Sequence, residues 1–344
     1  MGEAWTPEGA VLVAGGGGFI GGHLVAKLRE RGVRDIRVVD LKPVETWYQV
    51  HRECENLEID LRDPIACVRV IEGIRTVFNL AADMGGMGYI ESHRVACMRS
   101  VLINTHLLAA AVHNVERYFF SSSACVYNGR FQDRPVVAGL REEDAYPAFP
   151  EDGYGWEKLF SERLCQNYLE EDGLQVRIAR YHNVYGPYGT WNGGREKAPA
   201  AICRKMAAVK LGMADHIDIW GDGKQGRSYM YIDDCIDGTL RLTGSGYADP
   251  LNVGSSRLVS VDQLVDIVGE IAGVDPPRRY VLDAPQGVRG RTSDNTRVLA
   301  VLGWEPSVPL EEGLERTFSW IYDALAAGDS DKILSVRSAG TREP

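Results

Sequence analysis

Short apolar runs alternate with amphipathic stretches along the first half of the chain. Residues 10–14 form a continuous apolar run of strand length, and residues 19–31 carry apolar positions at helical spacing. The same alternation predicts strands over 36–40, 57–59, 77–81, 118–121 and 176–180, and helices over 100–113 and 154–170. Strand followed by helix, repeated, implies parallel units wound on both faces of one sheet. Beyond residue 181 the rhythm loosens. Residues 183–195 are rich in Gly, Pro, Tyr and Trp and read as loop. Further helices are predicted over 198–209, 234–243 and 261–272, with short strands over 217–220, 229–232 and 251–253. The fold class expected is α/β, a Rossmann-type doubly wound parallel sheet with a smaller C-terminal cap over its carboxyl edge, where ligands of open α/β sheets bind.

Composition narrows the function. The 344 residues are 44% hydrophobic and 25% charged, ordinary for a globular protein. The net charge of −10 argues against a nucleic-acid partner, which needs a basic face. No apolar run reaches the roughly 20 residues of a membrane span, and the polar start lacks the features of a signal peptide. The seven cysteines, without any Cys-x-x-Cys, read as free thiols in a reducing, cytoplasmic setting. The scattered histidines predict no metal site. Residues 1–9 and the polar tail from 329 are expected to be mobile.

Two motifs carry chemistry. Gly15, Gly18 and Gly21 follow the first strand and open a helix at Phe19 and Ile20. That spacing allows a tight turn, close backbone approach to a pyrophosphate, and close helix–strand packing. Asp40 ends the next strand, where a carboxylate accepts ribose hydroxyls and repels a 2′-phosphate, favouring NAD over NADP. Asp60, after another short strand, is a candidate to flank the adenine. The second motif is Tyr154-x-x-x-Lys158, on one helix face, behind a strand ending in Ser121-Ser122-Ser123. A lysine beside the tyrosine is expected to lower the phenol pKa, so that the phenolate takes a proton from a sugar hydroxyl held by Ser123.

The glycine turn, Ser123, Tyr154 and Lys158 together resemble the extended short-chain dehydrogenase/reductases that act on nucleotide sugars. Other segments are similar to the GDP-mannose 3,5-epimerase branch of that family: Met84-Gly85-Gly86-Met87-Gly88, Ser122-Ser123-Ala124-Cys125-Val126-Tyr127, Gly193-Gly194-Arg195-Glu196-Lys197-Ala198-Pro199 and Gly287-Val288-Arg289-Gly290-Arg291. The likeness spans roughly residues 10 to 325. It implies an NAD-dependent isomerase that oxidises C4 of a GDP-sugar, inverts C3, C5 or both, and reduces C4 again, giving GDP-L-galactose or GDP-L-gulose from GDP-mannose. Cys125 and Lys197 would be the two acid/base groups on opposite ring faces, Cys125 with its pKa lowered by positive charge and Lys197 aided by desolvation or by Arg195. Leu61 and Ala81 would join the cofactor contacts. Met84, Gly85, Met87, Asn183 and Glu196 would line the sugar, with His182 a helper of no argued role. Arg289 or Arg291 is the first choice for the diphosphate, with Arg204, Lys205 and Arg227 as further candidates. Ala124-Cys125 stands where related 4,6-dehydratases carry Asp-Glu, which speaks against water elimination. A related epimerase acting on another nucleotide sugar, such as a GDP-heptose or a secondary-metabolite sugar, and a non-catalytic NAD-binding regulatory protein are the alternatives. The resemblance also implies a homodimer, an NAD-binding half over 10–182 with returning segments near 227–255, and a substrate cap over 183–226 and 256–328.

Overall fold

The apolar runs of the sequence become the central sheet. The computed structural model describes residues 5–328. Its strands β1 (Val11–Ala14), β2 (Ile36–Asp40), β3 (Glu55–Glu58), β4 (Thr76–Asn79), β5 (Arg117–Ser123) and β6 (Val176–Tyr181) are joined by a seventh, Leu251–Val253. The order across the sheet is Leu251–Val253, β6, β5, β4, β1, β2, β3, and each neighbouring pair is parallel. The chain winds outward from β1 in one direction and from β4 in the other. This reversal opens a crevice at the carboxyl ends of β1 and β4.

Helices α1 (Phe19–Glu30), α2 (Pro64–Ile71), α3 (Met87–Ser92), α4 (Arg94–Met98), α5 (Val101–Ala111) and α6 (Asp152–Asp172) accompany the strands. Because side chains alternate across a strand, β1 feeds two cores. Val11 and Val13 pack with Leu24 and Leu28 of α1, whereas Leu12 and Ala14 pack with Val70 of α2 and Leu107 and Leu108 of α5. All four β1 residues are fully buried, so the strand is apolar on both faces. Each buried Leu or Val contributes roughly 1.5–3 kcal/mol. Local signals set the helix ends. Asp63 caps α2 by accepting from the Ile65 N–H, with Pro64 at the first turn. Gly173, at φ 74°, stops α6 in the left-handed conformation.

The second half carries α7 (Ala198–Lys210), α8 (Ile232–Gly244), α9 (Val261–Ala272), α10 (Thr296–Leu302) and α11 (Leu310–Ala326). Ile202 and Met206 of α7, Leu264 and Val268 of α9, and Leu314 and Phe318 of α11 belong to the same apolar cluster as Val11 and Leu24. The cap therefore shares a core with one face of the sheet. Short ribbons complete it: Leu258–Ser260 beside Gly226–Ser228 beside Gly290–Arg291, and Ile217–Trp220 beside Arg278–Val281.

The structure adjusts several expected elements. The strand expected over 229–232 is only Met230–Tyr231, and Ile232 already opens α8. The loop expected over 183–195 contains a two-residue strand, Val184–Tyr185, paired with Met230–Tyr231. The Met-Gly-Gly-Met segment turns helical at Met87. All seven cysteines are buried and unpaired. Among the described residues no helix is long and apolar enough to cross a membrane. The tail expected to be mobile lies outside the described residues.

Candidate active site

The glycine turn sits at the crevice. Gly15 has φ +81°, and a Cβ on it would come within 2.8 Å of the Ala81 backbone nitrogen. A Cβ on Gly21 would lie 2.2 Å from the Gly15 carbonyl oxygen. Neither position tolerates a side chain, which leaves a backbone cradle at the start of α1. That helix has no acidic residue in its first turn and no side-chain cap at Gly18, so Phe19 and Ile20 begin it with N–H groups open to an anion. Asp40 ends β2, and its carboxylate accepts from the Lys42 N–H at 3.0 Å. Arg37 turns away, to Glu55 and to the carbonyls of Val70 and Glu72. Asp60 is bound to the Arg62 side chain, and Leu61 is buried beside it. These residues fit a dinucleotide. The sequence reading missed two neighbours of the turn: Lys42 donates to the Gly17 carbonyl at 2.7 Å, and the Trp47 ring covers Gly17.

On the other side of the crevice, α6 delivers Tyr154 and Lys158 beneath the end of β5. Both are buried. The Lys158 ammonium lies 5.7 Å from the Tyr154 ring centroid, 4.7 Å from that of Phe120, and 3.7 Å from the Glu157 carboxylate. The expectation that Lys158 lowers the phenol pKa is corrected here. Burial pushes Tyr154 well above the usual phenol range, and the Ser123 hydroxyl only partly opposes it. Glu157, absent from the sequence-based site, keeps company with the lysine charge. Burial pushes its carboxyl up, and it accepts from Ser161 at 3.1 Å.

Cys125 lies in a 3-10 turn, Ala124–Val126, directly after β5. The Ser123 hydroxyl accepts from the Cys125 N–H at 3.2 Å. The Cys125 carbonyl accepts from the Glu151 N–H at 3.1 Å. Burial pushes the thiol up, opposed by the Arg291 guanidinium. The expected net lowering by positive charge is therefore not what the surroundings produce. Lys197 occupies the N-cap position of α7, ahead of Pro199. Burial pushes its amine down, and the charge of Cys125 pulls it the other way, which brings the two groups into one electrostatic neighbourhood. Arg195 does not assist. It stacks at 3.7 Å over the Tyr89 ring and donates to Asp83 and to the Tyr89 hydroxyl, at 2.9 and 2.6 Å.

The remaining candidates spread over the cap. Met84 packs against the cluster of Tyr89, Ile90, Cys97, Cys125 and Tyr154. Gly85 abuts Tyr89, and Met87 reaches Gly287. Asn183, at φ 41°, donates to the Ser228 carbonyl. Glu196 accepts from the Gly194 N–H and from Arg204. Lys205 donates to the Asp218 carbonyl, and Arg227 to those of Gln286 and Val288. Arg289 forms a two-pronged pair with Asp222, at 3.1 and 2.9 Å. Arg291 points inward to Cys125, Gln132 and Glu151. His182 is fully buried, bonded to Asn252. Glu151 and Gln132 were also missed. Only the position of Glu151 three residues before Tyr154 could have signalled it.

Residues 11–254 match the family described as "NAD dependent epimerase/dehydratase family". The chain is 42% identical over 341 residues to GDP-mannose 3,5-epimerase 1 of Oryza sativa subsp. japonica, covering 98% of this chain and 88% of that protein. It is 41% identical over 351 residues to GDP-mannose 3,5-epimerase of Arabidopsis thaliana, covering 99% and 91%. Among solved structures, UDP-glucose 4-epimerase of Thermotoga maritima with UDP-glucose superposes with a TM-score of 0.83 at 29% identity, covering 92% of this chain and 99% of that one. MoeE5 in complex with UDP-glucuronic acid and NAD gives 0.78 at 29% identity, covering 92% and 100%.

Proposed function

We infer the function from this premise: the chain belongs to the NAD dependent epimerase/dehydratase family. It is an NAD-dependent isomerase that epimerises a GDP-sugar, and the substrate we propose is GDP-mannose, inverted at C3, C5 or both. The observation that carries the reading is that Cys125, packed with Tyr154 and bonded to Ser123, shares one electrostatic neighbourhood with Lys197, 72 residues away in sequence. A redox tyrosine alone serves a change at C4. Two further proton-handling groups serve the neighbouring carbons.

The chemistry dictates the division of labour. A C–H beside a hydroxyl is not acidic, whereas one beside a C4 ketone can leave as an enolate forms. NAD, held by the Gly15–Gly21 cradle and Asp40, supplies the redox change at C4 when bound. As the phenolate, a form that burial disfavours and that the charges of Lys158 and of bound oxidised nicotinamide would support, Tyr154 Oη beside Ser123 would receive the proton of the C4 hydroxyl and return it in the reduction. Lys158 Nζ stands 5.7 Å from the Tyr154 ring centroid. Cys125 Sγ and Lys197 Nζ take and return the proton at C3 or C5. Their resting states follow from burial: the thiol is raised and holds its proton, and the amine is lowered toward the free base. Inversion needs removal on one face and return on the other, which one donor and one acceptor provide. Positioned groups of this kind contribute ~10²–10⁴ each in rate. Arg289, with Lys205 and Arg204, is the proposed grip on the diphosphate. Met84, Gly85, Met87 and Asn183 are proposed to line the sugar.

Residues 10–182 with 227–255 are proposed as the half that holds NAD, because Leu251–Val253 returns to the sheet edge. The half over 183–226 and 256–328 then holds the sugar nucleotide. A homodimer through α4, α5 and α6 is supported by exposed Val95, Met98, Leu102, Trp156 and Phe160 on adjoining helices. The buried free thiols favour a cytoplasmic location. The direct test is incubation with GDP-mannose in heavy water, followed by NMR of the product. Deuterium at C3 or C5 is the expected result. Absence of exchange with every GDP-hexose tried would overturn the assignment.

A further inference from the structure

The guanidinium of Arg291 meets three acceptors on three sides. Nη1 reaches Cys125 Sγ at 3.4 Å, Nε reaches Gln132 Oε1 at 2.5 Å, and Nη2 reaches Glu151 Oε2 at 2.8 Å. The arginine is 4% exposed, so this is a desolvated cation aimed at a sulfur. Each partner is itself held. Glu151 accepts from the Val288 N–H at 3.2 Å through its other oxygen. Gln132 donates to the carbonyls of Tyr127 and Asn128, and its own carbonyl accepts the N–H groups of Arg289 and Gly290. The backbone of Glu151 is tied to that of Cys125. A planar fork reading three fixed acceptors is a task for arginine and not for lysine.

We propose that Arg291, braced by Glu151 and Gln132, is a positioning residue that orients the Cys125 sulfur and sets its balance between thiol and thiolate. The proposal rests on Cys125 as a proton-handling group. A buried positive charge beside sulfur favours thiolate, while the Glu151 carboxylate behind it tempers that pull and makes the burial of arginine tolerable. The other ionisable groups facing the sulfur are Tyr154 from α6, Lys197 from the start of α7, Arg227 from the strand next to Gly290–Arg291, and Cys97 of α4. Of the cations among the described residues, only Arg291 is hydrogen-bonded to the sulfur.

The test reads the thiolate directly, by its ultraviolet absorbance against pH, as the difference between each protein and the same protein carrying Cys125→Ser. Activity does not enter, so failure of the epimerase assignment would show separately, in the heavy-water experiment. Arg291→Gln should move the Cys125 transition up by about one pH unit or more, and Glu151→Gln should move it down by a similar amount. Arg291→Lys, which keeps charge but not the fork, should fall between wild type and Arg291→Gln. Opposite shifts are the signature, because loosened packing would move both variants the same way. Should Arg291→Gln not fold, Glu151→Gln alone decides, with a downward shift for the proposal. Shifts in one direction, or an unmoved or raised transition in Glu151→Gln, would overturn it.

Discussion

Cys125 and Lys197 are perturbed in opposite directions by the same cause, loss of water. Burial favours the neutral form of each, the thiol of Cys125 and the amine of Lys197. Cys125→Ala should lower deuterium exchange at the ring carbons by ~10²–10⁴ while NAD remains bound, measured by NMR exchange and by cofactor content after purification. Lys197→Met should behave alike. Retained exchange in both variants would remove the acid/base roles. His182 governs a different pH response. Burial holds its imidazole at about 3, whereas the unfolded chain protonates it near the ordinary 6.5. A depressed pKa contributes stability that is complete above 6.5 and is lost as pH falls toward 3. Urea denaturation should therefore show a loss of about 1.4 kcal/mol per pH unit from this residue below pH 6.5. In His182→Gln that slope should be shallower by one proton, and an unchanged slope would count against the assignment.

At the scale of elements, the crucial seam is α6 against the turn that carries Cys125. Gly155 sits between the catalytic-site tyrosine and Trp156, and a Cβ there would lie 2.3 Å from the Cys125 carbonyl oxygen. Gly155→Ala should force the helix off the turn at a cost of ~1–3 kcal/mol, seen as a lower melting temperature and slower exchange together. A variant with wild-type melting and activity would show that the seam yields. Strands buried on both faces, such as β1, were legible because they are continuous apolar runs bounded by turns, and β2 and Ile217–Trp220, only partly buried, also lie where the pattern puts them. Helix α3 was hidden because the Met-Gly-Gly-Met run ahead of it reads as loop, whereas in the structure its N-cap Gly86 is held by the Arg195 carbonyl and lies against the Glu196 backbone. The motif residues Ser123, Tyr154, Lys158, Cys125 and Lys197 were legible through spacing and resemblance. Glu151, Gln132 and Glu157 were not, because burial and hydrogen bonding across distant segments leave no local pattern. The misplaced expectations about Tyr154 and Cys125 share one origin: sequence shows nearby charge but not the desolvation that outweighs it.

At the scale of the whole molecule, the exposed apolar side chains of α4, α5 and α6 predict self-association. Trp156 and Phe160, four residues apart on α6, are 47% and 55% exposed, and Leu102 of α5 is 37% exposed. Large aromatics at such a face are the usual anchors of an interface. Trp156→Asp with Phe160→Asp should shift the protein from dimer to monomer in analytical ultracentrifugation. A wild-type protein that sediments as a monomer at every concentration would dismiss the proposal. The same face lies on the helix that bears Tyr154 and Lys158, so loss of the partner should also weaken exchange.

Helix α7, which begins at Lys197, packs against α9 and α11, the latter ending at Ala326. Arg291 likewise enters the site from beyond the sheet. During synthesis, then, the strands and the glycine turn emerge well before the groups that handle protons have their supports. A ribosome-bound chain can complete the half proposed to hold NAD while Lys197 still stands in water as an ordinary ammonium. Chemical competence arrives only with the last described helix, so the polypeptide is born able to bind before it is able to react.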